Sequence, residues 1–273
     1  MPRFFCYMFV CFFVYASNVC AETIKNGSSS FYVKVIDTEL EVFSYKPLCK
    51  IKSILFVLHG LDRNADDYRD NAIILGDKLC AIIISPRFDK SRFPNSRYQL
   101  GGGGQTGEYV VKLAEWVQKQ EGREFPYSMI GHSAGGQFLS RLAAFTPNNA
   151  KRIVIANPST YVFASFDMDT PYGFRGAYDR DSIESEMKRY LKSPITIFIG
   201  VEDTGDKNLS KDQHAMVQGS NRYERGINAY KSAQNLAKIK GWTFNWRLIQ
   251  KSGTGHSSKK MFSSDEAVRA LSP

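Results

Sequence analysis

Ser133 stands in Gly131-His132-Ser133-Ala134-Gly135, a G-x-S-x-G pattern between an apolar run ending at Ile130 and a helix-compatible stretch starting near Gly136. A sharp strand-to-helix turn forces a serine into a strained backbone conformation, and glycines beside it remove side chains that would collide. The turn lifts the hydroxyl above the sheet and aims a helix N-terminus at it, so developing negative charge meets unpaired N–H groups. The chemistry this permits is nucleophilic attack on a carbonyl. A serine hydroxyl needs a base to take its proton, and the chain has four histidines. His132 adjoins the serine on the turn and is expected to point elsewhere, His59 belongs to a different motif, and His214 lies in a polar stretch that reads as solvent-exposed. His256, in Ser252-Gly253-Thr254-Gly255-His256 beyond an apolar run ending at Ile249, is the expected base.

The base in turn requires a carboxylate. Gly200-Val201-Glu202-Asp203-Thr204-Gly205-Asp206 follows another apolar run and offers three acids. Asp203 is the choice, a short turn beyond the strand and in the chain order Ser, Asp, His; Asp206 is the reserve and Glu202 comes after it. An oxyanion hole needs two N–H groups. Ala134, the residue after the nucleophile, supplies one, and Leu61 in Leu58-His59-Gly60-Leu61-Asp62 is the candidate for the other. A His-Gly pair that merely ends a strand remains the plain alternative for that motif. Gly101 to Gly104 is not followed by the Gly-Lys-Ser/Thr of a phosphate loop, and no two histidines or cysteines have ligand spacing, so neither a phosphate loop nor a metal site is expected.

These residues must be held by a scaffold. Phe31 to Ile36 and Leu40 to Tyr45, separated by Asp37-Thr38-Glu39, read as a hairpin. Short apolar runs follow at Ser53 to Leu58, Ala81 to Ser85, Tyr127 to Ile130, Arg152 to Ala156, Ile195 to Ile199 and Thr243 to Ile249. Near-continuous apolar strands alternating with helices imply an α/β fold whose parallel sheet is covered on both faces. In the last run Phe244, Trp246 and Leu248 alternate with polar residues, as a strand near an edge would. Helices are expected over Glu108 to Gln120, Gly136 to Ala144 and Asn221 to Lys238. Asn157 to Tyr178 has no sustained period yet carries six Tyr and Phe residues among Pro and Gly. It reads as a lid or pocket wall, with packing into a satellite core as the alternative.

The 273 residues, 43% apolar and 13% aromatic, make an ordinary globular composition and exclude a disordered or fibrous chain. Arg3, the apolar run Phe4 to Tyr15 and the small residues Val19 and Ala21 read as a signal peptide cut after Ala21. A single domain over 22–273 remains, secreted or periplasmic. A retained anchor and lipidation at Cys20 are the lesser readings. Losing Arg3 takes the formal charge from +9 to +8. The basic residues are scattered, so a solvated surface is expected rather than a nucleic-acid or membrane patch. Only Cys49 and Cys80 survive cleavage, as a bridge or as two buried thiols.

Val57-Leu58-His59-Gly60 with Asp66-Asp67-Tyr68, Gly131-His132-Ser133-Ala134-Gly135-Gly136, Gly200-Val201-Glu202-Asp203 and Gly255-His256 together resemble the α/β-hydrolase superfamily. Within it the chain resembles the secreted polyhydroxybutyrate depolymerase and feruloyl esterase-like group, from about Phe31 to the C-terminus. The resemblance implies a mostly parallel eight-stranded sheet, a Ser133-Asp203-His256 triad and acyl transfer to water without a cofactor. It also implies that Cys49 and Cys80 precede neighbouring strands and form a disulfide away from the site. With one cysteine pair and no appended polymer-binding domain, soluble esters or short oligomers are the expected substrates. A peptidase or amidase on the same triad, and a non-catalytic binding protein, stay as alternatives.

Overall fold

The computed structural model describes Met1, residues 24–101 and residues 105–272. The expected leader, Met1 apart, and Gly102 to Gly104 lie outside the described residues.

The hairpin is formed by β1 (Gly27–Val35) and β2 (Thr38–Lys46), antiparallel from Gly27 opposite Lys46 to Val35 opposite Thr38. Its two-residue turn places Ile36 at φ 56°, the hand of turn that matches strand twist. Five apolar runs become β3 (Ser53–Leu58), β4 (Ala81–Arg87), β5 (Tyr127–His132), β6 (Ile153–Ala156) and β7 (Ile195–Gly200). With the hairpin and β8 (Arg247–Lys251) they make one eight-stranded sheet of order β1-β2-β4-β3-β5-β6-β7-β8. Pairing is antiparallel where β2 meets β1 and β4, and parallel from β4 onward.

Side-chain alternation divides the core. Ile54, Phe56, Leu58, Met129, Ile155 and Ile197 face one cluster, whereas Leu55, Val57, Ile83, Ile130, Val154 and Phe198 face another. Both faces are apolar, so the strands read as unbroken apolar runs. The connections hold α1 (Ala65–Asn71), α2 (Ile73–Leu79), α3 (Asn95–Tyr98), α4 (Thr106–Gln120) and α5 (Ala134–Phe145). Farther on come α6 (Ile183–Lys192), α7 (Gln213–Met216), α8 (Arg222–Lys240), α9 (Ser258–Phe262) and α10 (Asp265–Leu271). Helices α4, α5, α6 and α8 cover the first face, and α1, α2, α9 and α10 the second. In α4, Val110, Leu113, Ala114 and Val117 are buried at the i, i+3, i+4, i+7 spacing of one helical stripe.

Two expectations need correction. The last strand begins at Arg247, not Thr243, because Phe244 and Trp246 turn into the core. Trp246 is buried, meets Tyr190 edge-on at 4.8 Å and donates its indole N–H to the Tyr190 carbonyl at 3.0 Å. The aromatic segment after β6 is a core plug rather than a lid. Tyr161, Phe163 and Phe174 are buried, and the Phe174 ring packs on Phe145, Tyr178 and Tyr190. Cys49 and Cys80 form a disulfide with Cα atoms 5.8 Å apart, just ahead of the neighbouring β3 and β4. That is the strands' amino end.

Candidate active site

Ser133 occupies the junction of β5 and α5 with φ 58° and ψ −118°, a conformation that costs a non-glycine residue about 1–3 kcal/mol. The turn is so tight that a Cβ on Gly135 would lie 2.1 Å from the Leu58 carbonyl oxygen, and one on Gly131 2.3 Å from the Gly135 oxygen. Both collisions are with backbone, so the flanking glycines are a packing requirement. Ala134 opens α5, and its N–H belongs to the first helical turn, which has no partner inside the helix. Leu61 follows the Gly60 turn beyond β3 and lines the same cleft as Ser133. Among the described residues, neither the Leu61 nor the Ala134 N–H donates to a backbone acceptor outside regular elements.

His256 and Asp203 come to Ser133 from two loops at the carboxyl ends of β8 and β7. His256 Nε2 is 3.0 Å from Ser133 Oγ, and its Nδ1 is 2.7 Å from Asp203 Oδ2. Asp203 is 2% exposed, which shields its hydrogen bond from water. The two loops are laced together. Glu202 accepts the N–H groups of Gly253, at 2.8 Å, and of Thr254, and these bonds hold its carboxyl below the usual carboxylate range. The Glu202 N–H donates to the Thr254 carbonyl at 3.2 Å. Buried Asn157, at φ 45° just after β6, accepts the Gly200 N–H at 2.9 Å and donates to the Gly255 carbonyl at 3.4 Å.

Of the three acids, only Asp203 reaches His256. Glu202 clamps the base loop, and Asp206 pairs with Lys211 at the surface at 2.9 Å. His59 is buried with its Nδ1 2.9 Å from the Gly60 carbonyl, and it accepts the Phe88 N–H at Nε2; it holds the turn that carries Leu61. His214 is exposed and stacks on Tyr172 at 5.2 Å. His132 corrects its expectation: it does not turn away from the site but packs on the His256 ring, 4.5 Å between centroids. Burial pushes its pKa well below the ordinary histidine value and keeps it neutral.

Sequence reasoning missed Arg222, the first residue of α8. Both its side chain and that of Asp203 are 2% exposed, with Arg222 Nη1 3.6 Å from Asp203 Oδ1. Its guanidinium also donates to the carbonyls of Gly205 and Lys207, pinning the loop beyond the acid. An arginine at a helix start gives no sign in the sequence that it will be buried. Asn157 was visible only as the first residue of the aromatic segment.

The cleft above Ser133 holds about 540 Å³ and is lined by polar groups, among them Asp62, Asn64, Lys207, Asn208 and Ser257. Leu61 and Tyr68 are its large apolar contributors, and no residue of the aromatic segment lines it. Its acids Asp62, Glu202 and Asp203 are matched by Lys207, Arg222 and Lys259. Among the described residues no cluster of three metal-ligating side chains forms.

Neither a protein-family model nor a curated protein matches the sequence. Solved structures do. Poly(aspartic acid) hydrolase-1 from Sphingomonas sp. KT-1 superposes with a TM-score of 0.82 at 29% identity, over 90% of this chain and 99% of that one. LpqC, described as a poly(3-hydroxybutyrate) depolymerase, from Bordetella parapertussis gives 0.82 at 27%, over 90% and 89%. The chain is an α/β-hydrolase. A siderophore hydrolase from Aspergillus nidulans shares the hydrolase fold at a TM-score of 0.55 and 13% identity, over 92% of this chain and 96% of that one. In this hydrolase, as the fold leads one to expect, the reactive loops gather at the carboxyl ends of the strands.

Proposed function

We propose that this hydrolase cleaves carboxylic esters of small or oligomeric substrates through an acyl-enzyme on Ser133. The observation that carries the reading is the chain of hydrogen bonds from Ser133 Oγ through His256 to Asp203, at 3.0 and 2.7 Å. His256 takes the serine proton as Oγ attacks the ester carbonyl, and the N–H groups of Leu61 and Ala134 hold the oxyanion. Asp203 keeps the Nδ1 proton in place and stabilises the imidazolium, which then protonates the leaving alcohol. Water repeats the cycle and frees the acid. The polar cleft favours short, hydrophilic acyl groups over apolar or aromatic ones, because none of the rings of the loop after β6 lines it.

Amide cleavage is the second reading, and one observation favours it: the 29%-identical neighbour is described as a poly(aspartic acid) hydrolase. The balance of acids and bases lining the cleft argues against a dedicated polyanion site. Assaying p-nitrophenyl acetate beside p-nitroacetanilide separates the readings, with Ser133→Ala as control. Ester turnover with little anilide turnover, lost by a factor of about 10⁴ or more in the variant, is expected. Anilide turnover at a comparable rate would favour the amidase, and no turnover of either by folded protein would favour a non-catalytic binding protein.

The same reading takes the hydrolase to be secreted or periplasmic, with residues 1–21 removed and one domain over 22–273. The Cys49–Cys80 disulfide supports this location. Among the described residues no helix is long and apolar enough to cross a membrane.

A further inference from the structure

His132 takes no part in the proposed bond-making, yet its ring packs at a tilt against the ring of the base. Its ring centroid is 4.5 Å from that of His256, with 38° between planes, and it is 3% exposed. Its Nδ1 lies 3.2 Å from the Tyr68 hydroxyl on α1, and its Nε2 is buried with no hydrogen-bond partner. An unpaired buried ring nitrogen is destabilising. What the histidine adds to a plain apolar ring is the contact of its Nδ1 with the Tyr68 hydroxyl.

Tyr68 extends the contact to the other half of the site. Its hydroxyl sits under the Gly60 turn, where a Cβ added to Gly60 would come within 2.6 Å of it. Its ring meets Phe262 of α9 edge-on at 6.1 Å, and α9 follows directly from the loop that carries His256. One pair of buried side chains therefore touches both the turn bearing Leu61 and the ring of the base.

We propose that His132 and Tyr68 are positioning residues for His256: the His132 ring is a wall that stops the base from rotating away from Asp203 and Ser133, and the Tyr68 hydroxyl fixes that wall's tautomer and ties it to the Gly60 turn. This deepens the acyl-transfer reading and rests on it. With Tyr68 donating to Nδ1, the His132 proton resides on Nε2. The groups facing His132 are Tyr68 from α1, His256 from the base loop and Arg222 from α8. Tyr68 is itself held protonated by burial, so it remains a donor. The wall has to be uncharged, because a second cation beside His256 would oppose the imidazolium that forms during attack.

The test combines proton NMR of the far-downfield His256–Asp203 hydrogen bond with kcat, KM and Tm for His132→Ala, His132→Phe and Tyr68→Phe, using p-nitrophenyl acetate. In His132→Ala the resonance broadens or vanishes and kcat falls roughly ten- to a hundredfold, while KM stays within about twofold. His132→Phe restores a ring and recovers most of the kcat. Tyr68→Phe, which removes one oxygen, gives a smaller fall and carries the test should His132→Ala fail to fold. A resonance and kcat at wild-type values in the folded variants, with only Tm lowered, would overturn the proposal. Absence of ester turnover in the wild type would count against the acyl-transfer reading instead, and the resonance would still report whether the wall holds His256 on Asp203.

Discussion

Replacing Gly200 with alanine perturbs the base without touching it. Gly200 closes β7, and a Cβ there would stand 2.2 Å from the Thr254 carbonyl oxygen and 3.0 Å from its carbon. Ordinary contact begins at 3.4 Å, so the difference between 2.2 and 3.4 Å, about 1.2 Å, has to be opened. The strand side is poorly able to yield, since Gly200 N–H is held by buried Asn157 and β7 is paired with β6 and β8. The base loop therefore retreats, and His256 lies two residues beyond Thr254. Misplacing a catalytic group by about 1 Å costs on the order of 10² in rate, equivalent to roughly 2.7 kcal/mol of transition-state stabilisation. Steady-state assays on p-nitrophenyl acetate should show kcat/KM of Gly200→Ala lower by about a hundredfold, in a protein whose circular dichroism matches the wild type. A folded Gly200→Ala within about threefold of wild-type kcat/KM would refute the reasoning, because the loop would then be free to move without consequence.

Three further outcomes follow from other parts of the molecule. The Cys49–Cys80 bridge closes a span of 31 residues, so the Cys49→Ser/Cys80→Ser variant should lose about 3–4 kcal/mol in urea unfolding and keep its kcat, the bridge lying at the end of the sheet away from Ser133. His59 is fully buried and neutral, and burial takes its pKa down to about 3; the unfolded chain binds that proton near pH 6.5, the folded one does not. Stability should therefore be fully present above about pH 6.5 and fall by up to roughly 1.4 kcal/mol per pH unit between there and pH 3, with buried His132 adding to the slope, as denaturant titrations at stepped pH would show. Across p-nitrophenyl acetate, butyrate and octanoate, kcat/KM should decline with chain length, since the cleft offers little apolar wall beyond Leu61 and Tyr68; a rise toward octanoate would contradict the polar cleft.

How much of this was legible in the sequence depends on whether a residue's role is local. The strand-turn-helix around Ser133 was readable because glycines, apolar run and helix are contiguous; the demand on Gly131 comes from within the turn, at the Gly135 oxygen, whereas that on Gly135 comes from Leu58 on β3 and was not in view. His256 was readable by elimination, and Asp203 by chain order. The boundaries of β3 and β7 were close because strands buried on both faces are apolar from end to end. The last strand misled because Phe244 and Trp246 alternate as a strand would, while their burial against Tyr230 and Tyr190 is a tertiary fact. The aromatic segment misled for the same reason: composition reveals that its rings must be buried, and only the packing reveals against what. Arg222 and Asn157 join the site across separations of 19 and 98 residues, and nothing in their immediate neighbours marks them; Tyr68 stood in the Asp66-Asp67-Tyr68 motif, but its contact with His132, 64 residues on, did not show there. His132 was in view throughout, but whether a side chain on a tight turn points toward the site or away is set by φ and ψ, not by adjacency.

The central claim is that Ser133 is a nucleophile activated by His256. Treating the purified protein with a fluorophosphonate and mapping the adduct by peptide mass spectrometry tests it directly. The account predicts a single stoichiometric adduct on Ser133, formed in parallel with loss of ester turnover and absent from Ser133→Ala and strongly slowed in His256→Ala. A folded, undegraded protein that stays unlabelled at Ser133, or is labelled as readily without His256, would contradict it.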